Sequence, residues 1–537
     1  MNKIAFNLFL VFCGFLVVVA GLGITMMIAP GADILGVRYI RSTSGSVHET
    51  RSVYCLNSPV EEFNITCDNI PIEIRFVQSY TFSVELDEQY NGYTKTVETP
   101  DIAVDNSGNI VVFSVREYKP FVYHNRLSGS ALKISIPIYY NGRVAVQSNT
   151  SDIVVDGMNG TLQNLVLTTG GSVSVHDITL PKLKLNVKSK SVTIEKGAKI
   201  DELNIDAVNA KIKIYEQIHG DIIYNAQGGG LYFSLCENLT VKAGSAQIGS
   251  VDDNMAYVSE NTNIETNGKI KLDSNGDVKI TTKNADISLG KETISYGGKI
   301  DITTQSGDVV INGRRSAEAK IKTKSGDIFA EDLDSFEITT EYGTVNINMC
   351  TEGTIQAGSG NVNVLGCKDN LVVNSRSGDL TFGNEESAFP ASAEIVTLGG
   401  NVKFINATEG QLNVSTQSGD INFTGGMNNL ATIKIESKKG DVNIDSFSGQ
   451  AKIKTFGAVY MKVLSAQNGI EVVAKDKNVV IETEKDSKSS FDLMAGKSNK
   501  ITVWGEKQKE RNYLSALDAN ITISTKKGEI IIQDVAS

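Results

Sequence analysis

Proline, tryptophan, histidine and cysteine are scarce in this 537-residue sequence, which contains 8 Pro, 1 Trp, 4 His and 6 Cys. The few prolines, together with a hydrophobic fraction of 41%, exclude a largely disordered chain. The histidines are scattered, without a His-x-x-x-His pair, and no cysteines show CxxC spacing, so no zinc site, other metal or cofactor is predicted. The net charge of −11, without an arginine-rich cluster, argues against nucleic acid as a partner.

A short pattern is repeated where the sequence is most regular. Residues 301–311 read DITTQSGDVVI and residues 320–328 read KIKTKSGDI. Apolar residues such as Val309 and Ile311 occupy every second position, which is the period of a strand with one buried face. The outward positions are mostly Lys, Thr, Asn and Asp. Each copy therefore predicts a strand, a corner at Gly and Asp or Asn, and a second strand.

The corner glycines recur 17 to 22 residues apart, about every 19 on average, at Gly307, Gly326, Gly343, Gly360, Gly378, Gly400, Gly419, Gly440 and Gly457. Earlier corners are predicted near residues 151, 171, 190, 210 and 229. Strands at this period, without a helical pattern, are typical of a solenoid whose coils bury their apolar faces on one another. The predicted fold is an all-β, single-chain β-solenoid, or β-helix, with about 19 residues in each coil.

Composition along the chain predicts four regions. Residues 1–36 form an N-terminal transmembrane anchor, residues 37–144 an irregular β-rich cap, residues 145–474 the solenoid repeats, and residues 475–537 degenerate C-terminal coils and a second cap. A mixed-charge run near the C-terminus is interpreted as solvated surface, with a weak polyanion-binding patch as the alternative.

The predicted anchor is an apolar run, because no charged residue occurs from Ile4 to Ala29. That length suits a membrane-spanning helix better than a cleaved signal peptide, the competing interpretation. Arg38, Arg41 and Arg51 follow the run and only Lys3 precedes it, a bias that favours a solenoid inside the cell. Long domains nevertheless cross largely regardless of such charges. The expected location is the cell membrane, with the bilayer as partner and the solenoid outside.

Six aromatic residues enrich the predicted N-terminal cap: Phe113, Tyr118, Phe121, Tyr123, Tyr139 and Tyr140. The favoured interpretation places them in the core of a cap over the first coil, since the terminal units of solenoids are atypical. The alternative is a face that binds a sugar or a protein partner by stacking.

Carboxylates follow many of the corner glycines and are expected to align along one edge. The predicted structural corner pairs are Gly307 and Asp308, Gly326 and Asp327, Gly378 and Asp379, Gly419 and Asp420, and Gly440 and Asp441. A row of carboxylates that also includes Asp277 raises the alternative of calcium binding. Thr344, Asn361 and Asn401 interrupt the row, so the favoured interpretation is that each Asp bonds its own turn backbone.

Two cysteine pairs are candidate disulfides. Cys55 and Cys67 lie 12 residues apart in the predicted cap, and Cys350 and Cys367 lie 17 apart, close to one coil. One-coil spacing would put the second pair side by side on adjacent turns. In an exported protein, which meets an oxidising environment, both pairs could form disulfides.

The order of these features resembles a known bacterial family of β-strand-repeat domains whose members are named putative adhesins. The residues that carry the resemblance are the segment LKISIP at residues 132–137, the segment from Val144 to Val155, and repeats of Thr-x-Ser-Gly-Asp followed by Val or Ile. The resemblance covers residues 40 to 535. It implies a β-solenoid and an adhesive role, and it supplies no binding residues.

The function predicted from these observations is a non-enzymatic, membrane-anchored surface protein that contacts a protein or glycan ligand or the cell's own envelope. An intracellular, membrane-tethered scaffold that polymerises through its solenoid ends is the first alternative. A polysaccharide-cleaving β-helix enzyme is the second, although the repeat offers no distinctive cluster of acidic and basic residues.

Overall fold

The structure is a computed structural model. It describes residues 11–18, 33–34, 37–38, 41–55, 59–94, 102–115, 123–126, 129–188, 190–252, 255–290, 295–312, 314–316, 318–385, 392–407, 410–425, 427–466, 469–485, 487–516 and 518–535. The chain divides into two compact units, Met1–Phe233 and Ser234–Ser537.

A short helix at residues 11–18 lies within the predicted anchor. Most other residues of the predicted anchor lie outside the described residues, apart from a two-residue strand at its end. In the described ranges, no helix has both the length and the apolar composition needed to cross a membrane.

The strands of the first unit are β1 (Asp33–Ile34), β2 (Val37–Arg38), β3 (Arg41–Tyr54), β4 (Glu62–Thr66), β5 (Ile72–Val77), β6 (Thr81–Thr94), β7 (Ile102–Ser107), β8 (Ile110–Val115), β9 (Tyr123–Arg126), β10 (Ala131–Pro137), β11 (Arg143–Gln147), β12 (Ile153–Thr161), β13 (Asn164–Thr169), β14 (Val173–Val187), β15 (Ser191–Ile194), β16 (Lys199–Ala207), β17 (Lys211–Ile214), β18 (Ile218–Ala226) and β19 (Gly230–Phe233).

The strands of the second unit are β20 (Leu235–Cys236), β21 (Asn238–Ala243), β22 (Gln247–Ser250), β23 (Ala256–Val258), β24 (Thr262–Glu265), β25 (Ile270–Ser274), β26 (Val278–Thr281), β27 (Ile287–Leu289), β28 (Ser295–Gly297), β29 (Ile300–Thr303), β30 (Val309–Ile311), β31 (Arg314–Ser316), β32 (Ala319–Lys322), β33 (Ile328–Ala330), β34 (Leu333–Thr340), β35 (Val345–Ala357), β36 (Val362–Cys367), β37 (Asn370–Ser375), β38 (Leu380–Phe382), β39 (Ser392–Thr397), β40 (Val402–Ile405), β41 (Gln411–Thr416), β42 (Ile421–Thr424), β43 (Met427–Ser437), β44 (Val442–Thr455), β45 (Val459–Ser465), β46 (Ile470–Ala474), β47 (Val479–Glu482), β48 (Phe491–Ala495), β49 (Ile501–Val503), β50 (Glu506–Gln508), β51 (Asn512–Leu514), β52 (Ile521–Thr525) and β53 (Ile530–Gln533).

Parallel pairing between successive coils builds both units. In the second unit, Val309 pairs with Ile328, which pairs in turn with Val345. On the other side of the corner, Ile302 pairs with Ile321 in the same register. Each coil therefore adds a strand before and a strand after the corner, as the 19-residue period predicts, and the all-β solenoid is confirmed.

Inward apolar residues stack into columns because the side chains alternate across each strand. Ile321 and Val345, for example, are at most 1% exposed, whereas Lys322 points outward and is exposed. Three phenylalanines in register, Phe382, Phe404 and Phe423, stack with ring centroids 5.1 and 4.6 Å apart. The stack supplies the buried face that one coil lacks.

The parallel stack starts earlier in the sequence than the predicted boundary at residue 145. β4 pairs with β11 and β5 pairs with β12, so residues 62–77 already form a coil. The next segment adds a further coil on the other side of it, because β8 pairs with β4 and β10 pairs with β5. β6 covers β10, and β7 covers β8, by antiparallel pairing.

The C-terminal coils are arranged in the same way as these N-terminal ones. β52 lies between β46 and β48, and β53 lies between β47 and β49, although β48 and β49 come first in the sequence. The antiparallel strands β51 and β50 then cover β48 and β49. In the first unit the coil that comes first in the sequence, and in the second unit the coil that comes last, therefore lies one place inside the end of the stack.

The aromatic residues of the predicted cap divide between core and surface. Phe113 is fully buried and Tyr140 is 6% exposed, and both pack near Phe63 and Phe82, as the core interpretation predicts. Tyr139 is instead 61% exposed. Tyr118 and Phe121 lie outside the described residues, and Tyr123 lies in β9.

Candidate functional site

The corner glycines are needed for space between coils. A Cβ atom built on Gly326 would lie closer than 3.0 Å to the carbonyl oxygen of Gly307, and one on Gly440 would meet that of Gly419 in the same way. Of the five glycines in the predicted corner pairs, only Gly378 has a positive φ, of 135°. Close contact between backbones, rather than a left-handed conformation, therefore excludes a side chain at most corners.

The corner carboxylates join consecutive coils. Oδ1 of Asp308 accepts the backbone N–H of Asp327 at 2.9 Å, and Oδ1 of Asp327 accepts that of Thr344 at 2.7 Å. Asp379 and Asp420 make the same bond to residues 401 and 441, at 3.0 and 2.8 Å. The interpretation that each Asp bonds its own turn is corrected: the bond reaches the next coil.

This bonding also explains two of the three interruptions of the row, those at Asn361 and Asn401. Asn361 and Asn401 accept the backbone N–H of the following corner residue at 2.9 and 3.0 Å, because an amide oxygen is as suitable an acceptor as a carboxylate. Among the described residues, no corner aspartate belongs to a group of three metal-ligand atoms within 4.8 Å of one another. The geometry of the row thus fits hydrogen bonding between coils better than calcium coordination.

The first unit contains a corner of the same kind. Asp152 accepts the backbone N–H of Ser172 at 2.7 Å and also faces Lys190, and these bonds lower the pKa of its carboxyl. Because the folded-state pKa is depressed, the stabilising contribution is present above the unfolded pKa of about 3.9 and is lost as the pH falls through the folded value.

A second row of hydroxyl side chains lies inside the same corners and was not predicted. Thr323 is 3% exposed, and its Oγ1 accepts the backbone N–H of Gly326 at 3.0 Å. The equivalent bond occurs at Thr304, Thr340, Thr397 and Thr416. Threonine was assigned to outward positions because it is polar, but its fixed place three residues before the corner glycine is a signal that the sequence contains.

The cysteine pairs differ in their placement. Cys350 and Cys367 are register partners on adjacent coils and are 3% and 1% exposed, so the predicted proximity is present. Both are free thiols in the structure. The pKa of Cys350 is raised, mainly by its hydrogen bond with Cys367 and to a lesser extent by burial. Their disulfide stays a prediction.

Cys55 and Cys67 lie near opposite ends of β5. The amide of Cys55 donates to Tyr80, which follows β5, whereas Cys67 precedes β5 and donates to Gln147. A six-residue strand is about 20 Å long, and a disulfide needs Cα atoms within about 7 Å. This disulfide also stays a prediction, and it would require a rearrangement of the segment.

The main candidate for ligand binding is an open groove of about 600 Å³ in the second unit. Its floor follows four neighbouring strands, since Thr339, Gln356, Asn374 and Val396 are register partners on β34, β35, β37 and β39. We call it the Tyr342 groove. At the strand spacing of about 4.8 Å, the four strands extend about 14 Å from the first to the last.

The rim of the Tyr342 groove consists of corner residues. Tyr342 is 62% exposed, and Glu341 and Arg376 also line the groove. Gly358 lies between these corners, where a Cβ atom would collide with the carbonyl oxygen of Glu341. An aromatic ring, a guanidinium and two side-chain amides thus face one open surface. Sequence analysis missed it because the alternation assigns these residues to the outer face without showing which outer side chains form a groove.

The fold and the corner rows together define a parallel β-solenoid with two principal strands in each coil. The chain belongs to the Toastrack DUF4097 family, whose model matches residues 60–389 and 366–533. The predicted resemblance to a β-strand-repeat family is confirmed by this match.

Two solved structures are also similar to the chain. A putative cell adhesion protein from Clostridium sporogenes shares 9% identity, covering 38% of this chain and 98% of its own, with a TM-score of 0.24. A putative adhesin from Bacteroides fragilis shares 11% identity, covering 63% of this chain and 97% of its own, with a TM-score of 0.14. Because both TM-scores are below 0.5, these similarities support no inference about this chain. No curated protein matches it.

Proposed function

We propose that the protein is a non-enzymatic, membrane-anchored surface protein whose solenoid binds a glycan in the Tyr342 groove. The observation that carries the proposal is the arrangement of the groove itself. A sugar ring can stack on the exposed Tyr342, while Gln356, Asn374 and Arg376 offer hydrogen bonds to its hydroxyl groups.

The pairing of the strands favours a glycan over an extended peptide. β34, β35, β37 and β39 each have parallel partners on both sides, so their backbones offer no free edge to which a peptide strand could add. A ligand must use the side chains of the outer face. Those side chains are mainly planar and polar.

The number of carboxyl groups that line the groove supports binding without cleavage. Glycoside hydrolysis generally uses two carboxyl groups on opposite sides of the scissile bond. Glu341 is the single carboxylate among the residues that line the groove. A glycan bound there would meet one such group.

The anchor and the surface location are supported by the uncharged run from Ile4 to Ala29. The covered ends of the stack weigh against the scaffold alternative, because polymerisation through solenoid ends needs free parallel edges. In the described part of the chain, the outer coils are covered by antiparallel strands, and β50 and β51 are only three residues long.

A glycan array probed with the purified solenoid tests the binding proposal. We expect a discrete set of glycans to bind, and Tyr342→Ala to lose about fivefold or more in affinity for them, because loss of an aromatic stacking face costs about 1 kcal/mol or more. Tyr139→Ala is the matched control, since Tyr139 is 61% exposed and lies in the other unit. Equal binding by both variants, or no binding to any glycan, would contradict the proposal.

Protease treatment of intact and lysed cells tests the location. Cleavage of the solenoid on intact cells is expected for a surface protein. Protection until lysis would contradict the surface location and favour the internal scaffold.

A further inference from the structure

A histidine and two aspartates meet on adjacent coils of the first unit, away from the corner rows. Asp156 on β12 and His176 on β14 are register partners, and Asp177 follows His176. Nδ1 of His176 lies 3.8 Å from Oδ1 of Asp156 and 3.7 Å from Oδ2 of Asp177. One ligand atom from each of the three side chains lies within 4.8 Å of the other two.

These distances are too long for hydrogen bonds and suit a shared cation. A nitrogen donor bonds an oxygen at about 2.7 to 3.2 Å, so the imidazole lies beyond bonding distance of both carboxylates. Two ligands of a tetrahedral zinc ion, with bonds of about 2.0 to 2.1 Å, lie about 3.4 Å apart. A contraction of about 0.4 Å would bring Nδ1 of His176 to that spacing from each of the two carboxylate oxygens.

The backbone leaves space for the Asp177 carboxylate. Asp177 has a left-handed φ of 52°, and Gly197 lies one coil further on with a φ of 91°. A Cβ atom on Gly197 would overlap Oδ1 of Asp177. The N–H of Gly197 donates instead to Glu216, at 2.8 Å. The glycine thus provides room for the carboxylate while its own amide is bonded elsewhere.

The bonding of these carboxylates differs from that of the corner row. The corner aspartates use Oδ1 to accept a backbone N–H of the next coil. In the described part of the chain, Asp156 and Asp177 instead have His176 as their shared partner. Their side chains, and that of His176, are 31% to 57% exposed, so an ion could enter from solvent.

Other left-handed corners lack this ligand set. Asp332 and Asn406 have φ values of 53° and 52°, but the residues before them are Glu331 and Ile405. Asx residues at left-handed corners are therefore a structural feature of the solenoid, and the histidine is what distinguishes the corner at Asp177.

We propose that Asp156, His176 and Asp177 bind a first-row divalent cation, with Zn²⁺ as the best fit. One imidazole and two carboxylates suit zinc better than calcium, which prefers six to eight oxygen ligands. Three protein ligands leave the fourth tetrahedral position for water or a ligand atom. Sequence analysis predicted no metal site here, because Asp156, the nearest potential ligand before His176, is 20 residues away in the sequence. The two residues become neighbours only because successive coils stack.

Calorimetric titration of the chelator-treated, untagged full-length protein with ZnCl₂ tests this proposal. We expect one Zn²⁺ per chain and at least a tenfold loss of affinity in His176→Ala. Asp332→Asn is the matched control, since it alters a left-handed Asp without an adjacent histidine, and it should bind like the unmodified protein. Circular dichroism verifies that the variants fold.

Cobalt gives a second measurement on the unmodified protein, which does not depend on a folded variant. Bound Co²⁺ is expected to show visible absorption typical of tetrahedral coordination, and Zn²⁺ should displace it. Absence of zinc binding, equal binding by His176→Ala, or displacement of Zn²⁺ by an equimolar amount of Ca²⁺ would overturn the proposal. The glycan assay is separate, because the Tyr342 groove lies in the other unit.

Discussion

Adjacent glycines at one corner have different structural roles. Gly400 is buried, and a Cβ atom there would collide with the carbonyl oxygen of Gly378. Gly399 is exposed, and its Cβ atom would lie 3.5 Å from the carbonyl oxygen of Arg376, which is ordinary contact. The corner spacing assigns Gly400, and not Gly399, to the repeat, but the sequence alone does not show that Gly399 has room for a side chain.

We predict that Gly400→Ala destabilises the solenoid by about 1–3 kcal/mol, because the methyl group has to displace backbone. Gly399→Ala, the control, should change stability by less than about 0.5 kcal/mol. Urea unfolding followed by circular dichroism compares them. Equal unfolding midpoints would show that the coils separate easily and would contradict the close-contact interpretation.

The buried threonine row gives a second prediction at this scale. Thr323→Val keeps the shape of the side chain but leaves the N–H of Gly326 without its acceptor, so we expect a loss of about 1–3 kcal/mol. Faster hydrogen exchange at the Gly326 amide is the direct measurement. Thr303→Val, at an exposed position of β29, should leave the exchange unchanged. Unchanged exchange in Thr323→Val would mean that the hydroxyl is dispensable.

The sequence predicted the inward residues better than the corner chemistry. The alternation that assigned Ile321 inward and Lys322 outward is confirmed, because burial of an apolar face imposes a strict period of two. Thr323 was misassigned because a hydroxyl that bonds backbone can be buried at small cost. Burial of such a group depends on its partner, which a hydrophobic pattern does not reveal.

At the scale of the strand, we expect Ile321→Asp to disrupt the coils around β32. The substitution buries an unpaired carboxylate between neighbouring coils, at a cost of several kcal/mol. Limited proteolysis should show new cleavage near this strand. Lys322→Asp serves as the control because it places the same side chain outward, and it should resist protease like the unmodified protein. Equal resistance of Ile321→Asp would contradict the packing of β32.

The thiols of β35 and β36 should be protected in the native protein. Burial keeps alkylating reagents away from Cys350 and Cys367, and the raised pKa of Cys350 also disfavours its thiolate, which is the form that these reagents attack. We expect iodoacetamide to label both only after unfolding, with mass spectrometry as the readout. If neither is labelled after unfolding without reductant but both are labelled after reduction, the disulfide is formed. Rapid labelling of the native protein would contradict the burial.

At the scale of the whole molecule, the pairing order at the ends was beyond sequence analysis. The coil formed by β52 and β53 keeps the order of strand, glycine corner and strand, and its sequence gives no sign that it lies between β46–β47 and β48–β49. Periodicity predicts that a segment is a coil, but not which coils are its neighbours. The N-terminal boundary differs from the prediction for the same reason.

Removal of residues 486–537 should convert the protein into a self-associating one. The truncation exposes β46 and β47, whose inward-facing residues and backbone are covered by β52 and β53 in the full chain. We expect concentration-dependent oligomers in light scattering after gel filtration, while the full-length protein gives one mass at all concentrations. A truncated protein of constant mass would show that the terminal coils are not needed to prevent edge-to-edge pairing.

The same pairing order has a consequence for synthesis on the ribosome. Coils from β36 to β47 can join the stack one at a time as they emerge, since each pairs with strands already made. β48 and β49 cannot, because their parallel partners β52 and β53 are translated later. A nascent chain that ends before Ile521 therefore has to keep this segment out of the stack. The last two coils must be added together, in one step that follows the synthesis of β53.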